Sequence, residues 1–540
     1  MSTAVTAETH PPEYLLHRYW ARKPSNVLAA YVQELVPPGG RVIDPFCGSG
    51  VFLSEAARAG VEAHGFDINP VAVLLSRITL EPPPSELFVA AAEEVFDEFD
   101  TVSTEAFGTY DGATVRYVVH ETVTSCTECE ETCSASLASR VGRTYRCGSC
   151  GARVHLNLRH LETTRVREIV TEEGVICDRD ALHEQEMRSQ QPLKGVCGSY
   201  SYPFAENRRI LAHDGLETAD LFTPRNFSLL SIIADRMHAE RDPQVRDSLL
   251  LLLSASVAQC SRLIAYRGRM TSGGPAWSVP GFWVPPVHVE VNPLIHLRGR
   301  LKKFARGFER LHSRPTRAPA RVEEDDASSA LADLAAQGLC FDLAFFDPPY
   351  GDSVPYAEFS SLYNSFLGRV VELDADISVS DRVQAKPPWD DYGTRLKEAL
   401  AGIRSVLSPD GKLLVTFNNH DDRAWSALFE ALQHSGFRAR SVRFQMPAVV
   451  PAKAQFAPDG SYIGDFYCVY ARAEAGHAPA TSLQPVRRGL EKAAAARGGT
   501  IPPALARRVV ASVCLEEDVS AELLPAAFEL IDGIGPLELK

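Results

Sequence analysis

"RVIDPFCGSGVFLSEAARAGVEAHGFDINP", residues 41–70, decides the fold. Residues 41–46 read as a short buried strand and 47–50 as a tight turn. Residues 51–60 read as a helix closed by Gly60. The next strand and its loop occupy 61–70, and Pro70 opens another helix. Strand–helix–strand is the start of an α/β architecture with a doubly wound parallel sheet.

The turn also carries chemistry. Glycines directly after a strand let the backbone bend sharply and approach a ligand, while the following helix presents free N–H groups. A plain strand-to-helix turn would look similar. The second acid, Asp67, ends the next strand, where a carboxylate can bind ribose hydroxyls. Together, Asp44, Pro45, Phe46, Gly48, Gly50 and Asp67 point to a nucleotide-like ligand.

A second stretch, "FFDPPYGD" (345–352), ends another apolar run in an acid followed by two prolines and a tyrosine. Pro349 has no N–H to donate back to Asp347, and proline rigidity fixes the neighbouring carbonyls. Asp347, Pro348, Pro349 and Tyr350 thus offer a carboxylate, a carbonyl and a flat ring. Their natural guest is a planar ring with an exocyclic amino group. An ordinary Asp-Pro turn is the plainer alternative.

Cys126-x2-Cys129 and Cys147-x2-Cys150 have the spacing of a four-thiolate zinc site. With every tetrahedral position filled by sulfur, the metal folds the module and does no catalysis. Cys133 is a less well spaced substitute ligand.

The chain has 540 residues, 45% of them hydrophobic, 23% charged, with a net charge of −14. That length predicts two to four domains, and that charge disfavours non-specific coating of nucleic acid. A local basic tract stands against the average: residues 291–317 hold eight Lys/Arg and one Glu. Its apolar positions, Leu294, Leu297, Leu301, Phe304, Phe308 and Leu311, form one helical seam. No secretory leader or membrane-spanning run is read from the sequence, and isolated cysteines fit a reducing cytoplasm. Residues 109–158 read as short strands, 225–265 as two helices, and 273–293 as an ordered loop. Further helices are expected over 358–370 and 394–407, then a turn at 408–411.

"DPFCGSG" paired with "DPPY" resembles the motif pair of S-adenosylmethionine-dependent amino-methyltransferases acting on nucleic acids, chiefly DNA adenine-N6 methyltransferases. The resemblance implies a Rossmann-like methyltransferase sheet, with residues 44–50 and Asp67 holding the cofactor and 347–350 catalysing. "HRYWARKPSNV" resembles the family's segment beside the methionine end, so Lys23, Pro24 and Ser25 become weaker cofactor candidates. The order of motifs resembles enzymes whose target-recognition region lies between them.

The implied division is a cofactor-binding half at 11–84 and a zinc-ribbon insert at 109–165. A helical target-recognition insert follows at 166–330, then a catalytic half at 331–475 and a helical tail at 476–540. The implied partner is double-stranded DNA, with protein partners of a restriction-modification or phage-defence system and no membrane. Arg225, Asn226, Arg262, Arg267, Arg269 and the 298–317 tract are candidate DNA contacts. Trp277, Phe282 and Trp283 are candidate pocket or wedge residues, and Asn418 and Asn419 lie at a strand end near the substrate. Cytosine-N4 in DNA, guanine-N2 in RNA and a non-catalytic DNA-binding subunit are the competing readings.

Overall fold

The computed structural model describes residues 5–135, 139–141, 144–155, 164–193, 199–266, 268, 281–383, 389–449, 463–498 and 501–532. Along the chain run β1 (Arg41–Asp44), β2 (Glu62–Asp67), β3 (Thr109–Tyr110), β4 (Ala113–Ser125), β5 (Thr132–Ser134), β6 (Arg140–Val141), β7 (Thr144–Arg146) and β8 (Arg153–Val154). They continue as β9 (Thr164–Thr171), β10 (Val175–Ile176), β11 (Val287–Val291), β12 (Ala320–Glu324), β13 (Phe341–Phe346), β14 (Leu407–Phe417), β15 (Phe437–Gln445) and β16 (Asp465–Arg472).

Seven of these strands form one mixed sheet in the order β12-β2-β1-β13-β14-β16-β15. The first five are parallel, and β16 runs antiparallel to both neighbours. Side chains alternate between two apolar layers, as a period of two requires. Val42, Leu343, Phe345 and Leu414 pack with the helices Ser25–Leu35 and Val51–Arg58. Ile43, Ala344, Phe346 and Leu413 pack with Ala327–Ala336, Trp389–Val406 and Asp422–His434 on the other face. Both faces are covered, which explains why β13 is apolar almost throughout. Strand order reverses between β1 and β13, so a crevice opens at their carboxyl ends.

The long insert lies inside one crossover. Chain leaving β2 forms the helix Pro70–Leu80 and returns to the sheet only at β12, which pairs with β2. The division expected at residue 331 therefore moves to about 320: Val322 pairs with Gly65 and belongs to the main sheet. The insert has its own sheet, β10-β9-β4-β11, with β3 and β5 also paired to β4. Helices Ser85–Glu98, Pro224–His238, Pro243–Cys260 and Pro293–Ser313 share its core. The last three start with Pro at the first turn behind a capping Thr223, Asp242 or Asn292.

Other limits also shift. The zinc module narrows from 109–165 to about 126–154, because the 13-residue strand β4 pairs with β9 and β11. Part of the loop expected at 273–293 is β11, and residues 273–280 lie outside the described residues. The 358–370 helix is Tyr356–Ser365, and the 394–407 helix is Trp389–Val406. Residues 408–411 loop out within β14, whose register jumps from Phe341↔Leu407 to Leu343↔Lys412. The C-terminal helices Gln484–Ala495 and Pro503–Glu516 seat Val486, Leu490 and Val510 in the same core as Phe466 and Tyr470. Among the described residues no helix is long and apolar enough to cross a membrane.

Candidate active site and metal centre

The crevice holds a cleft open to solvent, its empty space about 950 Å³ with the mouth included. Asp44, Pro45, Phe46, Gly48 and Asp67 line it from one half of the sheet, and Asp347 and Pro349 from the other. Asp44 is buried at the end of β1, its Oδ1 accepting from the Phe46 N–H at 3.1 Å. Asp67 accepts from the N–H groups of Gly48 and Asn69, each at 2.9 Å. That bond ties the turn after β1 to the end of β2.

Gly50 stands behind the cleft wall. Its φ is +71°, and a Cβ there would sit 2.6 Å from Ser76 Oγ and 3.0 Å from Ser76 Cα. Gly50 thus lets two helices close around the turn without itself touching the cleft.

The second motif is braced from below. Asn419 Nδ2 donates to the Tyr350 carbonyl at 2.7 Å and Tyr392 donates to the Pro349 carbonyl at 2.9 Å. The Tyr350 ring rests on Phe417, centroids 4.8 Å apart. Three donors converge on one oxygen, Asp347 Oδ1: Thr416 Oγ1 at 2.6 Å, the Tyr350 hydroxyl at 3.0 Å and Lys23 Nζ at 3.1 Å. Among the described residues no donor is directed at Asp347 Oδ2 or at the Pro348 carbonyl. Those two acceptors remain for a guest, while Lys23 Nζ lies over the Tyr350 ring, 4.8 Å from its centre.

Burial pushes the Asp44 carboxyl well up, with Asp347 and Asp67 adding to the effect. Burial likewise pushes Asp347 up, while Lys23 and the Thr416 hydroxyl pull it back. Asp67 is pushed up to about 6 by burial, against the two N–H donors. Burial opposes charge on Lys23, but Asp347 and Asp465 hold its ammonium above the usual lysine range.

The segment before residue 25 departs from expectation. Ala21 has a left-handed φ of +53°, and the turn there brings Arg22 and Lys23 to the cleft. Pro24 and Ser25 do not line it: the helix Ser25–Leu35 starts there, and Pro24 borders a neighbouring cavity instead. Lys23 reaches across to Asp347 and Asp465, so it joins the Asp347 motif to the glycine-turn side of the cleft.

Three residues escaped the sequence reading. Thr416 and Asp465 come from β14 and β16, and only sheet pairing brings them to the site. Arg22 donates to Ser49 Oγ at 3.1 Å and the His17 carbonyl at 3.0 Å, and no carboxylate among the described residues pairs with it. Burial lowers its pKa to about 10. The Arg-Lys pair beside aromatic residues was the available signal.

Several DNA-contact candidates serve the fold instead. Arg225 is 1% exposed and makes a two-pronged bond to Glu290, at 3.0 and 2.7 Å. Buried Asn226 donates to the carbonyls of Cys260 and Val291. Arg262 is largely buried, and burial lowers its pKa. Phe282 is core, against Phe204 and Phe359. Asn419 is a brace and Asn418 donates to the Gly464 carbonyl, so neither faces the guest site.

The basic helix keeps its apolar seam, but its charge is partly spent within the molecule. Arg298 pairs with Glu93 and Asp97, and Arg314 with Glu13 and Glu55. Trp283 is partly buried, and Arg267, Arg269 and Trp277 lie outside the described residues.

The four predicted cysteines do come together, their sulfurs all within 4.8 Å of one another. Cys126–Cys150 and Cys129–Cys147 are 3.6 Å apart. A tetrahedron of Zn–S bonds of about 2.3 Å requires sulfurs about 3.8 Å apart, so the four thiols fit a structural zinc. Each knuckle ends in a left-handed residue, Glu130 (φ +59°) and Gly151 (φ +74°). Cys133 is buried beside them as a fifth thiol. Searched against protein-family models and curated proteins, the chain matches none.

Proposed function

We propose that this chain is an S-adenosylmethionine-dependent methyltransferase acting on the N6 amino group of adenine in DNA. The observation that carries this reading is the meeting of two motifs far apart in sequence. The glycine turn with Asp67, and Asp347 with Pro349, face one cleft at the reversal of strand order. Helices on both faces of the sheet and a crevice at that reversal support a Rossmann-like methyltransferase architecture.

The cleft suits the cofactor. Asp67 would hold ribose hydroxyls, the Gly48 turn would let the chain approach closely, and Arg22 would take a carboxylate. When bound, S-adenosylmethionine supplies an electrophilic methyl group. The target base must leave the duplex to reach so deep a site. Its ring stacks on Tyr350, while its amino hydrogens are accepted by Asp347 Oδ2 and the Pro348 carbonyl. That pairing orients the nitrogen lone pair away from the ring plane. Catalysis is then positioning and electrostatics. Asp347 need not be a strong base, because the proton can leave after methyl transfer. The tetrathiolate module would hold zinc structurally.

The test is incubation with methyl-labelled S-adenosylmethionine and duplex DNA, single-stranded DNA or RNA, followed by nucleoside analysis. Label in N6-methyladenine of DNA is expected. Label in cytosine or in RNA guanosine, or none in any nucleic acid, would overturn the reading.

A further inference from the structure

A base held at this site needs an acceptor for its amino group and a ring to stack on. The protein sets a side chain of its own over that ring and against the other oxygen of that carboxylate. Lys23 is only 5% exposed, and its Nζ lies 3.1 Å from Asp347 Oδ1 and 4.8 Å from the centre of the Tyr350 ring. An N–H donor bonded to Asp347 and set over Tyr350 is a fair copy of an exocyclic amino group. The ammonium and a stacked base cannot both use that ring face. Driving a buried ammonium off its carboxylate is costly unless a second anion receives it.

A second anion is present. Asp465, the first residue of β16, places Oδ2 3.5 Å from the same Nζ. One ammonium between two acids is an unbalanced arrangement for a static ion pair, but a suitable one for a transfer.

We propose, resting on the methyltransferase reading, that Lys23 is a stand-in for the target base and Asp465 the residue that receives it. In the empty site the ammonium covers the Tyr350 face and holds Asp347 by Oδ1, beside the oxygen left for the base's amino group. When a base arrives, Lys23 shifts to Asp465, freeing the Tyr350 face while its charge stays paired. Asp465 is then a positioning residue for base capture and touches neither base nor cofactor.

The test is steady-state kinetics on duplex DNA, with S-adenosylmethionine binding and melting measured alongside, for Asp465→Asn, Asp465→Glu, Lys23→Met and the double variant D465N/K23M. Asp465→Asn is expected to raise KM for DNA by about tenfold, with cofactor affinity and kcat within about twofold. Asp465→Glu restores KM. In the Lys23→Met background, with no ammonium to receive, adding Asp465→Asn changes KM by less than about twofold. If Lys23→Met does not fold, Lys23→Gln replaces it in the cycle. A KM penalty of equal size in both backgrounds, or a loss of cofactor binding in Asp465→Asn, overturns the proposal while leaving the methyltransferase reading intact. Wild-type protein that methylates no nucleic acid sinks the reading itself.

Discussion

Asp67 has one job in the fold and would take a second under the proposed function, and both would respond to pH. It accepts the Gly48 N–H that holds the turn, and on the methyltransferase reading it would bind ribose hydroxyls. Its pKa, raised to about 6 by burial and further by Asp376 and Glu324, means that it is protonated below that pH. The sign for stability follows. The folded state holds this proton more tightly than the unfolded chain does, so ionising Asp67 costs stability as pH rises from about 4 to 6, with no further change above. Ligand binding runs the other way. S-adenosylmethionine affinity should fall as pH drops below 6, by up to about tenfold per unit. Titration calorimetry at pH 5 and 7.5 checks this, and an unchanged Kd, or the same slope in Asp67→Asn, refutes it. Arg22 offers a companion test. No carboxylate among the described residues pairs with it, which predicts that Arg22→Ala weakens S-adenosylmethionine by about 10- to 100-fold, the worth of a charged hydrogen bond. A decarboxylated analogue should bind wild type and variant alike. Equal losses for both ligands would show that Arg22 only supports the fold.

At the scale of elements, legibility follows how local the physics is. The helix Pro293–Ser313 was readable because its seam, Leu294 to Leu311, repeats at helical spacing and needs only one apolar partner face. The turn after β1 was readable because its glycines and one flanking acid lie within seven residues of chain, Asp44 to Gly50. Ser-Pro-Asp-Gly at 408–411 is turn chemistry and does loop out, but only pairing with β13 shows that Leu407 ahead of it already belongs to the strand. The cysteine knuckles were read from spacing, yet their backbone is not symmetrical in cost. Gly151 takes its left-handed conformation freely, whereas Glu130 does so with a side chain that is exposed and free to be removed. Glu130→Gly should therefore stabilise the knuckle by about 1 kcal/mol, seen as several-fold tighter zinc in competition with a chromogenic chelator. Unchanged or weaker zinc would mean that the Glu130 side chain contributes something the backbone argument omits.

At the scale of the whole molecule, the sequence placed the ends of the insert poorly because β12 is five residues with one buried position and joins its partner β2 across some 250 residues of chain. Arg225 was misread for a related reason. A lone arginine looks like a DNA contact until Glu290, on a distant strand, is found beside it. The zinc module raises a different whole-molecule question: whether it melts with the rest. Among its described residues Cys126, Cys133, Cys147 and Val154 form a cluster separate from the three large cores. These few small side chains, with buried Ala135, cover too little apolar surface to order the segment. Metal binding, worth about 10–16 kcal/mol in small zinc modules, would supply what they lack. Removing zinc with a chelator should therefore unfold residues 126–154, with the small sheet β6-β7-β8, and leave the two larger sheets standing. Limited proteolysis would then cut within that segment alone, and the main thermal transition would move by less than a few degrees. β4 sets the limit of the damage, because it stays paired to β9 and β11 after its β5 contact is lost. Loss of the main transition on chelation, or full protection of the segment without metal, would refute an independent module. Either outcome also bears on function, since a module that unfolds alone can be removed to ask whether DNA methylation requires it.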